Sequence, residues 1–315
     1  MIARVALLAG VCVLAALAED SRVGGPTPGF VFHGPTHSIR PIVGVPGAAY
    51  LGAPVARDFD AASISPLGKS ALAVRGGQLF FVQGLEGGQA VETPVEGGLP
   101  AVDMITWNLD GLSAAVYAST SRQAQILRSP DAGQTPAVET AVDLSGTETA
   151  VSALAFDGRR LIVGAGGIYL GDVSGLQLVT RAANPAAFAL SGRDVYAADG
   201  DRSQIWLVRE YAGEATPMLF ADGRAGVSSP SGLRLSGNGR NLVIANAGAS
   251  SVDALEIATR SQVRHLDLEF KPTRMDTIGS GALALLNQGT GGEPLYIIDS
   301  GEDLAVYFIP ARSEE

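Results

Sequence analysis

The sequence predicts an all-β chain folded as a ring of six four-stranded sheets, and three observations carry that prediction. A turn with glycine in second place stands ahead of an apolar run six times, at Leu67-Gly68, Asp110-Gly111, Asp157-Gly158, Ser191-Gly192, Asn238-Gly239 and Ser280-Gly281. The glycines are 43, 47, 34, 47 and 42 residues apart, a period typical of architectures that repeat one supersecondary unit. Each turn leads into a run of apolar residues without polar alternation (71–74, 114–117, 161–163, 195–198, 242–245 and 282–286), as expected of strands covered on both faces. The last strand of a unit alternates instead: Leu266, Leu268 and Phe270 share one side, and His265, Asp267 and Glu269 the other. Buried inner strands and half-exposed outer ones describe sheets stacked around an axis, a β-propeller. A sandwich, with turn signals about every 8–12 residues, lacks the longer period.

Residues 231–270 show a whole unit: a first strand ending at Leu235, a polar turn closing on Asn238-Gly239, an apolar strand at 242–245, a third strand at 252–257 and the alternating fourth. The remaining units vary on it. Residues 29–45 add two short extended segments, 30–33 and 39–43, that read as the third and fourth strands of a blade. Closing a ring brings the termini together, so this hairpin is expected to pack beside the last blade, residues 274–310. The expectation is therefore a six-bladed propeller spanning 30–312 with an extra N-terminal hairpin, the alternative being seven blades with one incomplete.

Residues 1–18 read as a secretory signal: Arg4, then thirteen uncharged residues from Val5 to Leu17, then Ala16-Leu17-Ala18 before Glu19-Asp20. The apolar run is shorter than the roughly 20 residues of a membrane helix. The expectation is cleavage after Ala18, a secreted or periplasmic location and no membrane insertion once the signal is removed. The single cysteine, Cys12, lies inside that segment, so thiol and cysteine–metal chemistry are excluded from the mature chain. Residues 19–29, rich in glycine and proline, read as a flexible lead-in. Without the signal the net charge is about −11. Nucleic acid is excluded as a partner, since it needs clustered Lys and Arg, and Arg159-Arg160 reads as a solvated hairpin end. A monomer is expected.

Residues 194–208, DVYAADGDRSQIWLV, resemble the core of an NHL repeat, with a strand ending in Ala-Asp, a polar loop and an Ile-containing strand. Residues 241–257, NLVIANAGASSVDALEI, are similar to the YVTN repeat with its Ala-Asn, Gly/Ser loop and Val-containing strand. The likeness weakens away from these two units, and Trp107-Asn108-Leu109-Asp110-Gly111 looks more like the repeats of translocation-associated propellers. Such repeats imply a secreted bacterial propeller, a fold that hosts enzymes, binding platforms and surface proteins alike.

No catalytic signature is present: the chain has no Gly-x-Ser-x-Gly, His-Glu-x-x-His or Walker loop, and Gly164-Ala165-Gly166-Gly167 reads as a hairpin. Asp199-Gly200-Asp201 lacks the further donors of a calcium loop. His33 and His37 flank Pro35, which forbids the helix that would pair them on a metal, and His265 reads as solvent-exposed. Catalytic residues and cofactors are thus left unassigned, and no metal ligands are assigned. Position supplies the candidates that remain. Loops from second to third strands gather on one face of a propeller, and here they carry Ser119, Thr120 and Arg122; Asp199, Asp201 and Arg202; Asn246 and Ser250; and Asn287 and Gln288. Asp199, Asp201, Arg202, Asn246 and Asn287 form the candidate ligand site, because a converging ring of such groups could hold a polar ligand or an ion. The competing role for Asp and Asn at strand ends is to satisfy loop amides. The favoured reading is a non-catalytic binding or assembly platform for a protein or a small polar ligand. The alternative is a metal-dependent hydrolase or lyase resembling the gluconolactonase or streptogramin-lyase propellers, although no axial histidine matches theirs.

Overall fold

The computed structural model describes residues 25–279, 281–289, 293–301 and 303–310. The expected signal at 1–18 and the lead-in as far as residue 24 lie outside the described residues.

Seven antiparallel sheets, each made of strands consecutive in sequence, form a β-propeller. Blade 1 holds β1 (Gly29–His33), β2 (Ser38–Val43) and β3 (Tyr50–Leu51). Blade 2 holds β4 (Ala61–Ile64), β5 (Ser70–Arg75), β6 (Gln78–Gln83) and β7 (Val91–Pro94). Blade 3 holds β8 (Met104–Trp107), β9 (Ser113–Ala118), β10 (Gln123–Arg128) and β11 (Ala137–Asp143). Blade 4 holds β12 (Ala153–Phe156), β13 (Leu161–Gly164), β14 (Gly167–Asp172) and β15 (Gly175–Arg181). Blade 5 holds β16 (Pro185–Ser191), β17 (Asp194–Asp199), β18 (Gln204–Arg209) and β19 (Thr216–Ala221). Blade 6 holds β20 (Pro230–Leu235), β21 (Asn241–Asn246), β22 (Ser251–Glu256) and β23 (Gln262–Asp267). Blade 7 holds β24 (Asp276–Thr277), β25 (Leu283–Leu285), β26 (Leu295–Asp299) and β27 (Ala305–Ile309).

The expected six blades are corrected to seven, as the alternative had it, six of four strands and, among the described residues, one of three. Both segments of the N-terminal hairpin are strands, but they are joined by β3, whose two residues leave no pattern to read before Gly52 and Pro54. Residues past β3 stay aligned with β2 through Gly52 N–H to the Pro41 carbonyl and an isolated bridge between Ile39 and Ala56.

The repeated glycine turns join first and second strands, as the pattern required. Gly68, Gly111, Gly158, Gly192 and Gly239 have positive φ, between 59° and 93°, the region glycine enters without steric cost, whereas in blade 7 the positive φ falls at Gly279 (61°) and not at Gly281. The second strands β9 and β13 are buried at every residue, and β5, β17 and β21 at all but one. First strands differ from expectation: β4 and β8 are only half-buried throughout, because they border an axial cavity instead of a further sheet. Outer strands such as β23 face solvent along most of their length.

Apolar clusters fill the seams between blades. Tyr196, Ile205 and Phe220 of blade 5 pack with Leu242, Ile244 and Leu255 of blade 6, and blades 3 and 4 meet through Tyr117, Ile126, Leu161 and Val163. At about 1.5–3 kcal/mol for each large side chain taken out of water, these seams dominate cohesion. Polar ties fix their alignment: Trp107 Nε1–H donates to the Ser63 carbonyl (3.2 Å), Ser152 Oγ to the Pro185 carbonyl (2.6 Å) and Ser231 Oγ to the Pro272 carbonyl (2.9 Å). Arg160, read as half of a solvated hairpin end, is instead such a tie, its guanidinium donating to the Tyr211 carbonyl at 3.1 Å.

Two turn glycines separate backbone geometry from blade packing. A Cβ at Gly68 meets nothing within 4 Å, whereas one at Gly111 lies 2.6 Å from Leu67 Cγ and 2.8 Å from Ser65 Oγ of the preceding blade. Gly68→Ala is expected to cost about 1–2 kcal/mol, the left-handed backbone penalty alone, and Gly111→Ala about 2–4 kcal/mol, with overpacking added. Urea unfolding measures both; equal losses would show that the blade contact at Gly111 plays no part.

Candidate functional site

Blade-to-blade connections and second-to-third loops share one face of the ring, called upper here; first-to-second hairpins lie on the lower face. The first strands and β1 enclose an axial cavity of about 2160 Å³. Its wall mixes apolar and polar surface, with Phe32, Ile64, Met104, Leu154 and Phe188 among the apolar lining residues and Ser63, Thr106, Asn108 and Ser152 among the polar ones. Charged groups line it on several blades, Asp60, Asp103, Asp157, Arg193 and Arg234 among them, and a cluster stands at the upper mouth beside blade 7, where Glu269, Lys271, Arg274, Asp276 and Glu293 border the opening with Asn287 and Gln288. Arg274 Nε is paired with the Asp276 carboxylate. Asp276 is half exposed to the lumen, yet the encircling blades push its carboxyl up, and Arg274 opposes that shift. Arg234, also on the wall, donates to the Leu283 and Gly281 carbonyls; burial lowers its pKa, against the attraction of Asp299. A shallower cleft of about 470 Å³ lies between blades 5 and 6, against Phe220, Arg224 and Arg260.

The positional candidates divide. Asp199, at the end of β17, is fully buried, and its carboxylate accepts from Ala183 N–H (2.7 Å), Asn184 N–H (3.2 Å) and Arg202 N–H (3.2 Å). It therefore fixes both its own loop and the connection from blade 4. Asn246 repeats the arrangement one blade on: it is fully buried, accepts from Ser228 N–H (2.9 Å) and donates to the Gly226 carbonyl (3.1 Å). The equivalence extends to the backbone, since Asp199 pairs with Pro185 and Asn246 with Pro230, each next to a bulge. Asp201 and Arg202 are exposed on the loop between them, Asp201 accepting from Asn184 Nδ2 at 3.1 Å. Asn287 spans its own loop, donating to the Pro294 carbonyl and accepting from Tyr296 N–H, both at 2.9 Å. Of the five, Asn287 lines the axial cavity, with Gln288 beside it. Asp199 spends its carboxylate on loop backbone, and Asn246 spends its amide on loop backbone and on the Asp253 side chain.

His33 and His37 bond different partners, Thr36 Oγ1 at 2.7 Å and the Phe59 carbonyl at 2.9 Å.

Sequence reasoning missed a polar network on blade 6. Asp253 lies inside β22 with its side chain only 3% exposed. It accepts from Asn246 Nδ2 (2.5 Å), Ser251 Oγ (3.0 Å) and Gln262 Nε2 (2.6 Å), and bonds His265 Nδ1 at 2.6 Å. His265 Nε2 in turn reaches Asp267 at 3.1 Å. His265 was read as a solvated residue; it is half exposed, but it serves as the cross-strand partner of a buried carboxylate. The signal was present in the apolar strand VDALEI, where a buried Asp demands donors from its neighbours. The network runs from the outer strand through Asp253 and Asn246 to the connecting loop at the upper face.

Its pH dependence has a definite sign. The bond to Asp253, then the charge of Asp253 and more weakly Asp267, raise the pKa of His265 against a small opposing burial effect. A raised folded-state value means the stabilisation is complete below the ordinary histidine pKa and is lost as pH rises through the higher one. The stability gap between the native chain and His265→Gln should be widest near pH 5.5 and narrow by pH 8.5, more so at low salt because the imidazole is half exposed. Thermal melts across that range test it; a gap that widens with pH would contradict the assignment.

Comparison with known proteins places the architecture and no more. No family model matches the chain, and no curated protein matches it. Among solved structures, a chain of the mitotic checkpoint complex is similar with a TM-score of 0.59 at 13% identity, covering 99% of this chain and 90% of that one. A chain of the nidogen/laminin complex is similar with a TM-score of 0.51 at 12% identity, covering 76% and 92% respectively. At such identities the likeness is one of fold.

Proposed function

We propose that this protein is an exported, non-catalytic platform that holds part of another protein at its axial cavity. The observation that carries the reading is the size and wall of the cavity: at about 2160 Å³ it exceeds the roughly 300–1,000 Å³ of sites that enclose small molecules. A wall of mixed apolar and polar surface, with a cluster of charges at its mouth, suits a polypeptide segment, which presents apolar side chains and polar groups together. The propellers it resembles in fold were solved in protein complexes, which supports the same direction. The NHL and YVTN likeness of residues 194–208 and 241–257 and the signal-like residues 1–18 support export. In this reading Asn287 and Gln288 contribute to the mouth, and Asp201 and Arg202 extend the contact over the upper face. The hydrolase or lyase reading needs oxygen donors converging on the axis. Asp199 and Asn246, which it would recruit, are occupied by loop amides.

The test compares the native chain with Ala62→Trp and Ala187→Trp, two variants that fill the lumen from lining positions. Chain recovered from the periplasmic or extracellular fraction, with Glu19 as its first residue, should retain a partner protein from that fraction, and the filled variants should lose it. Retention by the filled variants as by the native chain would remove the cavity from the account, and a chain recovered from the cytosol with Met1 intact would remove export.

A further inference from the structure

Among the described residues, blade 1 lacks the first strand that every other blade possesses. In blades 2–7 the chain enters each sheet beside the axis at the upper face, runs down the first strand, and leaves from the outermost strand at the upper face again. Blade 1 leaves in the same way: after β3 the chain climbs to Phe59, whose N–H donates to the His37 carbonyl, and then enters β4. Counting back, β3, β2 and β1 carry the polarity of fourth, third and second strands. The strand β1 therefore runs upward, from Gly29, where a Cβ would lie 2.6 Å from Ile278 Cγ2 near the lower turn of blade 7, to the hairpin at His37. Burial agrees, since Gly29, Phe30 and Val31 are buried as second strands are, and Phe30 and Ile39 pack with Ala71, Ala73 and Val82 of the second and third strands of blade 2.

The consequence is an open edge inside the ring. Among the described residues β1 pairs with β2 alone, and Phe30, Val31 and Phe32 line the axial cavity on its other side. Alternate N–H and C=O groups of a strand point to each of its edges, so an edge strand is a template for a further strand. The flanks are apolar: Phe30 packs with Ala62 and Ile64 of β4, and Val31 with Ile278.

We infer that this edge is a docking slot for one extended segment of a partner protein, which adds as the missing first strand, antiparallel to β1 and running from the upper face to the lower. The inference rests on the platform reading above and specifies its chemistry. Main-chain pairing supplies the affinity, and side chains at alternate positions of the guest supply selectivity, apolar ones being matched to these flanks. The chain's own approach to β1 leads away from the slot: residues 25–28 prolong β1 downward, with the Pro26 carbonyl accepting from Gly44 N–H at 2.8 Å.

Hydrogen exchange of the β1 amides, read by mass spectrometry, tests the slot. The probes are a synthetic peptide of alternating valine and threonine and the same peptide N-methylated at every second residue, which cannot pair. They are added at millimolar concentration to the full chain and to one trimmed to residues 25–310. The slot predicts rapid lumen-side exchange in both free chains, slowed about tenfold or more by the plain peptide only. No slowing, or equal slowing by the methylated peptide, would overturn it. Slow exchange in the full chain that trimming relieves would overturn it too, by giving the edge to the chain's own end. If the platform reading alone were at fault, lumen-filling variants would keep their partner while β1 still responded to the peptide.

Discussion

A ring of sheets holds together only if its last sheet finds its first, and that closure is the constraint on which the rest of this structure depends. The chain itself crosses six of the seven seams, carrying each blade into the next through an upper-face connection. The seventh, between blades 7 and 1, has neither a connecting loop nor a strand shared by the two ends among the described residues. It is closed by side chains: Val31, Ile42 and Leu51 against Ile278, Leu285, Leu295, Ile297 and Ile309. Truncating one such residue to alanine typically costs about 2–5 kcal/mol, a large part of the net stability of a domain. Without this contact the half-buried first strands would line an open trough instead of a cavity.

Much of this was legible in the sequence, for identifiable reasons. Turn glycines and unbroken apolar second strands are strong signals because each answers to one demand, positive φ in one case and two covered faces in the other. Gly111 and Gly158 show where that reading stopped short, since each also lets the previous blade come close, with Leu67 and Asn108 respectively beside the missing Cβ. Blade number was less legible because β3 and β24 have two residues each, too few to form a pattern. The candidate site was legible only in position. A polar residue at the end of a second strand suits a ligand and a loop amide equally well. In the folded chain Asp199 and Asn246 turn to Ala183 and Ser228 while Asn287 borders the lumen. Asp253 and His265 were overlooked because cross-strand pairing depends on register, which a bulge beside Ala254 shifts within the same pair of strands.

Closure and function are linked through the geometry of blade 1. Among the described residues a blade of three strands completes the packed ring while leaving its inner edge facing the cavity. The loop-fixing roles of Asp199 and Asn246, and the chain of bonds from Asn246 through Asp253 to His265, then hold the upper face of blades 5 and 6 in place around the mouth. In the proposed function, a rim already held in place would need no ordering at the moment of binding, which is how pre-organised surfaces gain affinity.

The most direct test of closure by packing is native-state hydrogen exchange across the whole ring at increasing, sub-denaturing urea. If the seam between blades 7 and 1 is held by side chains alone, amides of β1, β2, β25 and β26 should exchange through one shared opening, at a lower free energy than those of β13, β14, β17 and β18. Exchange of the terminal blades only through global unfolding, at the same free energy as the central ones, would contradict the account.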